Sequence, residues 1–183
     1  MATVYPEIDE KLRAWLLAQP VFFVGTAPAD VTGHVNVSPK GMAGTFAVLG
    51  PRAVGYLDYF GSGVETVAHV RENGRIVIMC CAFSGPPKVV RLSGRGRVVL
   101  PEDDEFTALR ARFAKSRDLG VRSIVVVDLD RIADSCGWSV PLMDYAGDRD
   151  VLDTAQQRRT PDYFADYAAT KNATSIDGLP GLR

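Results

Sequence analysis

The feature that most constrains the fold is a succession of short strand-like segments joined by tight turns, with few helices between them. Runs rich in Val, Ile and aromatic residues alternate with turns that contain Gly, Pro or Asn. Strands and helices do not alternate regularly, and no Gly-x-Gly-x-x-Gly sequence follows the first strand, which excludes a dinucleotide-binding Rossmann fold. Six or seven short strands of this kind predict a mainly β protein, a closed or partly closed β-barrel with peripheral helices.

The pattern along the chain divides it into a barrel and a C-terminal extension. A length of 183 residues, 46% of them hydrophobic, suits one core. We expect residues 1–140 to form the barrel and residues 141–183 to form a helical extension and tail of the same domain. Strands are predicted at 21–26, 34–40, 45–49, 53–58, 76–83, 89–100 and 121–129, and helices at 7–19, 62–73, 103–114 and, in two pieces around Pro161, 154–171.

The balance of charge excludes several classes of partner. With 21 basic and 22 acidic side chains the net charge is -1, which gives no reason to expect nucleic acid or an anionic membrane as a partner. Three cysteines cannot form a fully paired disulfide framework, and no Cys/His spacing suits a metal. The N-terminal segment lacks the pattern of a signal peptide. These observations predict a reduced, cytoplasmic protein.

Alternation in the segment 34–40 places His34, Asn36, Ser38 and Lys40 on one face of a strand. This polar face is either an ordinary solvated face or a ligand-binding face. Pro39 has no N–H to donate and is expected at a strand edge or end. The ligand-binding alternative therefore puts Lys40 at the mouth of the barrel.

The segment 89–99 places Arg91, Ser93, Arg95 and Arg97 on one face. Three guanidinium groups in register repel each other unless an anion or carboxylates lie between them. Either a bound phosphate or acidic side chains of neighbouring strands or of a partner subunit would satisfy them.

The turn Asp58–Ser62 leads into the helix predicted at 62–73. Ser62 and Glu65 have the spacing of a capping box, which by itself explains both residues. Thr66 is not needed by the cap. A phosphate at the start of this helix could contact Ser62, Thr66 and free backbone amides.

No Ser-His-Asp order, paired-carboxylate motif or metal cluster is present in the sequence, and the only histidines are His34 and His69. If the protein is an enzyme, a bound cofactor is expected to supply the chemistry.

Four segments, in their order and spacing, resemble the split-barrel flavoproteins related to pyridoxamine 5′-phosphate oxidase. They are Ser38-Pro-Lys-Gly41, the turn and helix start from Asp58 to Thr66, Glu72-Asn-Gly-Arg75 and Arg91-Leu-Ser-Gly-Arg-Gly96. The resemblance covers residues 15–134. It implies a six-stranded split barrel, a homodimer with FMN in a groove between the subunits, and a small-molecule substrate.

The resemblance also implies site residues. Val37 and Ser38 match strand positions that face the flavin ring, and Lys40 matches a basic residue near the ring or phosphate. Asp58 and Tyr59 match a strand end that borders the cofactor. The complete candidate set for cofactor binding is Asn36, Val37, Ser38, Lys40, Asp58, Tyr59, Ser62, Thr66, Arg91 and Trp138.

The expected function is that of an FMN-dependent oxidoreductase whose substrate the sequence does not assign. The chain departs from the true oxidases, which have a basic pair where Glu65 and Thr66 stand and an Arg-x-His motif near the C-terminus, whereas no His follows His69. Oxidation of vitamin B6 is therefore not expected. The alternatives are a non-catalytic flavin- or haem-binding protein and an F420-dependent reductase of the same fold.

Overall fold

β-Branched residues form the centre of the sheet in the computed structural model, which describes residues 3–182. The longest strand contains Ile124-Val-Val-Val127, and all four residues are buried because both faces of this strand are covered. The strands are β1 Val4–Tyr5, β2 Phe22–Thr26, β3 Asn36–Lys40, β4 Phe46–Gly50, β5 Ala53–Tyr59, β6 Arg75–Cys81, β7 Val89–Val99 and β8 Val121–Ser135.

The strands form one antiparallel sheet in the order β3-β2-β6-β7-β8-β5-β4, and β1 pairs with β8 outside this path. Within residues 3–182 no pairing joins β3 to β4, so the barrel stays open between its two end strands. The prediction of a mainly β split barrel is confirmed. Among residues 3–182 the sheet has eight strands: the seven predicted from the sequence pattern and the unpredicted β1.

Two groups of apolar side chains use opposite faces of β5 and β8. Inside the barrel, Tyr56 is fully buried with Ile78, Leu92 and Ile132. On the outer face Leu57 packs with Ile124, Val126 and Phe113. The outer group lies beneath the segments that follow β7 and β8, and this places the end of β5 deep inside the molecule.

The helices differ from the predicted ones at their ends. The predicted capping box is wrong: Glu65 is already the first helical residue, so Ser62 lies outside the helix. Within residues 3–182 no side chain caps the start of this helix at Val64. The helix predicted at 103–114 is only a little over one turn long. Beyond the end of this short helix, the Arg110 side chain donates a hydrogen bond to the Lys115 carbonyl. The helices are α1 Glu10–Leu17, α2 Glu65–Asn73, α3 Phe106–Arg110, α4 Val151–Gln157 and α5 Pro161–Thr170.

The C-terminal tail, residues 171–182, folds back over α2 and the barrel. Asn172 is completely buried, and Arg71 of α2 donates to the carbonyl of Gly181. Asp177 accepts hydrogen bonds from the backbone amide (2.8 Å) and the imidazole Nδ1 (2.6 Å) of His34. Among residues 3–182, none of the helices has the length and apolar character needed to cross a bilayer.

Candidate functional site

A buried carboxylate, Asp58, lies at the end of β5 between two cations. Its Oδ1 accepts from Lys40 Nζ at 3.1 Å, and its Oδ2 accepts from Arg122 Nε at 2.7 Å. Burial alone would raise the pKa of Asp58, but Arg122 and Lys40 outweigh it and lower the pKa to about 2. Lys40, Asp58 and Arg122, called here the Asp58 triad, therefore carry one net positive charge, and Lys40 is the least buried of the three.

The strands and the tail together hold the Asp58 triad in place. Asp58 is paired in register with Ser123 of β8, and the Ser123 hydroxyl donates to Oδ2 at 3.3 Å. Asn172 accepts from Arg122 Nη1 at 2.8 Å and donates to the carbonyl of Gly61 at 3.0 Å. Because each buried charge has a partner, the Arg122 guanidinium is fixed from both sides.

A second polar group fills the space between β3 and α2. Asn36 donates to the hydroxyls of Thr66 at 3.0 Å and Thr26 at 3.2 Å, and accepts from Ser38 at 3.2 Å. Thr26 also bonds to His69 Nδ1 at 3.0 Å, while His69 Nε2 is buried without a partner in the described part of the chain. Burial lowers the pKa of His69, which favours its neutral form.

A cavity of about 910 Å³, called here the first cavity, opens next to the Asp58 triad. Lys40 reaches it from β3, and Leu57 and Tyr59 reach it from β5. Tyr59 contributes its ring rather than a free hydroxyl, because the hydroxyl donates to the Arg117 carbonyl at 2.8 Å and its pKa is raised to about 12 by burial. Apolar side chains of Phe60, Met143 and Leu152 complete much of the wall.

Arg149 supplies the other cation of the first cavity. It lies in the irregular segment between β8 and α4, and its side chain forms no hydrogen bond or ion pair within residues 3–182. An unpaired guanidinium at a cavity wall is suited to bind a carboxylate or a phosphate.

The backbone of the turn between β3 and β4 is strained beside this cavity. Met42 has φ +67°, a left-handed conformation that is uncommon for a residue other than Gly. Its carbonyl accepts from the amide of Thr45 at 3.2 Å and from the hydroxyl of Thr45 at 2.9 Å, which holds the turn in this shape. Strained positions of this kind concentrate at ligand sites.

The structure brings together six of the ten residues proposed from the sequence. Lys40 and Asp58 belong to the Asp58 triad, and Tyr59 lines the first cavity with Lys40. The remaining three are members of the polar group beneath α2: Asn36, Ser38 and Thr66.

The other four residues lie apart from this centre within the chain. Val37 is 64% exposed on the opposite face of β3, and Trp138 is 84% exposed beyond β8. Ser62 is exposed and does not line the first cavity. Thr66, in the polar group beneath α2, does not line it either. Arg91 is in register with Met79, Phe23 and Pro39, on the face of the sheet opposite to Lys40, and donates to the Ser135 hydroxyl at 3.0 Å. The role of these four in cofactor binding stays a prediction.

All three aligned arginines on β7 have partners in their own chain. Arg97 forms an ion pair with Glu105, Arg95 donates to the carbonyl of Asn73 at 2.9 Å, and Arg91 donates to the Ser135 hydroxyl. An acidic side chain therefore satisfies Arg97 only. Within residues 3–182, neither Arg91 nor Arg95 has a carboxylate partner.

Sequence reasoning missed Arg122, Asn172, Met42 and Arg149. Arg122 had a detectable signal, because a single charge beside the buried run Ser123–Val127 must have a buried partner. The other three lie in turns and irregular segments, where side-chain periodicity carries no information.

The architecture and this centre define a class of protein: an open antiparallel barrel with a large cavity at the ends of β3 and β5. Residues 8–136 match the family described as pyridoxamine 5′-phosphate oxidase. The family protein ustO of Aspergillus flavus is 37% identical over 196 aligned positions, which cover all of this chain and 78% of ustO. The chain therefore belongs to the pyridoxamine 5′-phosphate oxidase family.

Solved structures with the same fold are more distant in sequence. HupZ of Group A Streptococcus has a TM-score of 0.55 at 19% identity, over 68% of this chain and 91% of HupZ. The conserved protein DIP1874 of Corynebacterium diphtheriae has a TM-score of 0.50 at 14% identity, over 74% of this chain and 98% of that protein. At these identities the likeness concerns the fold alone.

Proposed function

We propose that this protein binds a flavin, FMN, in the first cavity and acts as an oxidoreductase. One observation carries the proposal. The Lys40 ammonium, held by Asp58 at 3.1 Å, lies at the end of an apolar-walled cavity of about 910 Å³. Membership of the pyridoxamine 5′-phosphate oxidase family supports the same assignment.

The residues of the first cavity fit a flavin. Its volume of about 910 Å³ lies in the range of cofactor sites, and its apolar walls, including Leu57 and Phe60, suit a flat aromatic ring. A flavin supplies hydride or electron transfer when bound. The chain supplies a fixed positive charge at Lys40, which would orient the polar edge of the ring, and the apolar walls would exclude water.

The phosphate of FMN needs a cation that is not already neutralised. Arg149 meets this requirement, because its side chain has no partner within residues 3–182. The start of α2 is less suitable than the sequence predicts. The Glu65 carboxylate folds back over Gly63, where an added Cβ would lie 2.3 Å from Oε2, so this helix end already has an anion beside it.

We also propose that the protein is a homodimer. The outer face of β3, β2 and β6 presents exposed Val37 next to partly buried Phe23, Val77 and Met79. A contiguous apolar patch on an exposed face of a sheet is typical of a surface that another protein subunit covers. Arg91 borders the same face, so in a dimer built on it Arg91 would point to the partner subunit rather than to its own first cavity.

The proposed function is tested by the visible absorption spectrum of the purified protein and by the mass of the released chromophore. We expect FMN. Lys40→Met should weaken FMN binding by at least about tenfold, equivalent to about 1.4 kcal/mol, because the ring loses its fixed charge. The exposed Lys11→Met is the matched control and should bind FMN as the parent protein does. A deazaflavin, a haem, or a colourless protein that ignores added FMN would each refute the assignment.

The phosphate contact is tested separately. Arg149→Ala should weaken FMN more than riboflavin, which lacks the phosphate. Arg91→Ala should weaken FMN binding only if a partner subunit brings Arg91 to the site, whereas Arg97→Ala should have little effect because Glu105 already neutralises Arg97. Equal small effects of all three variants would contradict the placement of the phosphate.

A further inference from the structure

A second cavity of about 670 Å³ adjoins the first. The two share the turn that contains Met42 and Thr45 and the segment that contains Met143 and Asp148. The proposed function uses only the first cavity. The second has apolar walls of its own, and within residues 3–182 it lacks the two cations of the first, which restricts what it can bind.

The titratable groups around the second cavity are acidic or neutral. They are Asp144, Tyr145, Asp148 and Cys80, and among residues 3–182 neither Lys nor Arg lines this cavity. The first cavity shares Asp144, Tyr145 and Asp148, but it also has Lys40 and Arg149. Burial raises the pKa of the Cys80 thiol to about 12, so the thiol stays uncharged at neutral pH.

The carboxylate of Asp148 is already engaged. It accepts from the Ala43 amide at 2.7 Å and from the Tyr145 hydroxyl at 2.8 Å. An anionic ligand would therefore lose its hydration in the second cavity without gaining a cation. The charge distribution excludes a phosphorylated or carboxylated ligand there.

The inner wall of the second cavity is apolar and aromatic. Leu16 of α1, Phe22 of β2 and Phe46 of β4 contribute to it, and the ring centroids of Phe22 and Phe46 are 5.1 Å apart. Tilted aromatic rings at this distance form a stable surface for a flat apolar group.

We infer that the second cavity binds the substrate, and that this substrate is a flat apolar molecule without an anionic group. This inference rests on the proposed function, because it places the substrate beside a flavin in the first cavity. The strained turn at Met42 forms part of both walls and so lies between the two ligands.

Two fluorescent probes that differ by one sulfonate test the ligand class. N-phenyl-1-naphthylamine is uncharged, and 8-anilinonaphthalene-1-sulfonate is its anionic counterpart. We expect the purified protein to bind the uncharged probe at least about tenfold more tightly, and added FMN not to displace it. Equal affinities, or displacement by FMN, would overturn the inference.

Matched variants locate the bound probe. Ala114 lines only the second cavity and Ala155 lines only the first, and both are exposed. Ala114→Phe should weaken the uncharged probe by about tenfold and leave FMN binding unchanged, whereas Ala155→Phe should do the opposite. The reverse pattern, or the same effect from both variants, would overturn the inference.

A charge added at the rim gives a test that does not depend on filling the cavity. Leu17 lines the second cavity and is 41% exposed, so Leu17→Lys should fold normally. It should raise the affinity for the sulfonated probe relative to the uncharged one by about threefold or more. An unchanged ratio of the two affinities would count against the inference.

Failure of this inference and failure of the proposed function are distinguishable. If the protein binds no flavin but shows the expected probe pattern, the ligand class of the second cavity is supported while the proposed function is refuted.

Discussion

Asp58 is the residue whose charge the local structure most requires. It is the carboxylate partner of Arg122, which is buried with a side-chain exposure of 4%. Asp58→Asn keeps the shape of the side chain and removes its charge, which leaves the guanidinium uncompensated. We expect the free energy of unfolding to fall by about 3–5 kcal/mol, measured by urea denaturation at pH 7.

Ser123→Ala provides the control for this substitution. It removes only the neutral donor at 3.3 Å from Asp58 Oδ2, and it should cost about 1 kcal/mol. If Asp58→Asn cost no more than this control, the charge of Asp58 would not be a main determinant of stability.

The lowered pKa of Asp58 also predicts how stability depends on pH. Because the folded state holds this pKa at about 2, below the ordinary 3.8, the carboxylate contributes its full stabilisation above about pH 4. That contribution is lost as pH falls through the folded-state pKa, and its size is about 2 kcal/mol. Urea denaturation between pH 5 and pH 2 should therefore show a steeper loss for the parent protein than for Asp58→Asn. Parallel curves would contradict the prediction.

At the scale of elements, the C-terminal tail completes the Asp58 triad. The side chain of Asn172 links Arg122 to Gly61 across the base of the tail. Asn172→Ala should cost about 1–3 kcal/mol, because a buried guanidinium N–H and a buried carbonyl both lose their partner. Ile176→Ala, on an exposed part of the same tail, should change stability by less than about 0.5 kcal/mol. Chemical denaturation of both variants checks this, and equal effects would mean that Asn172 adds no more than ordinary tail packing.

The strands could be predicted more fully than the helices. Burial on one face leaves an alternating pattern, as in Asn36–Lys40, and burial on both faces leaves a continuous apolar run, as in Ile124–Val127. The start of α2 could not be predicted. Ser62 and Glu65 have the residue types and the spacing of a capping box, but the helix begins at Glu65 itself. A capping box requires a specific backbone geometry at the cap, which spacing alone does not fix.

The candidate site was only partly predictable for a related reason. Side chains on strands, such as Lys40 and Asp58, have positions fixed by alternation and register. Arg149 and Asn172 reach the same region from irregular segments after β8 and α5, and their positions depend on tertiary packing. No local signal marks such residues.

At the scale of the whole molecule, the two faces of the sheet differ in what covers them. The inner face and much of the outer face of β5 and β8 are covered by the chain's own segments, whereas the outer face of β3 remains open, with Val37 64% exposed. In register with it are Gly25 and Val77, and Phe23 and Met79 continue the apolar surface in the next row. A symmetric contact on this face would place the same residues of two copies against each other.

We therefore expect a dimer in solution, with a mass twice the 19.8 kDa of one chain. Val37→Glu should convert it to a monomer, because a twofold axis brings two carboxylates into one apolar contact. Val31→Glu, in the exposed turn between β2 and β3, is the matched control and should remain dimeric. Sedimentation equilibrium at tens of micromolar measures all three. A monomeric parent protein, or equal behaviour of the two variants, would mean that the open face of β3 has another use. FMN content measured on the same samples adds a second readout, because a cofactor groove shared between subunits would lose its flavin together with the dimer.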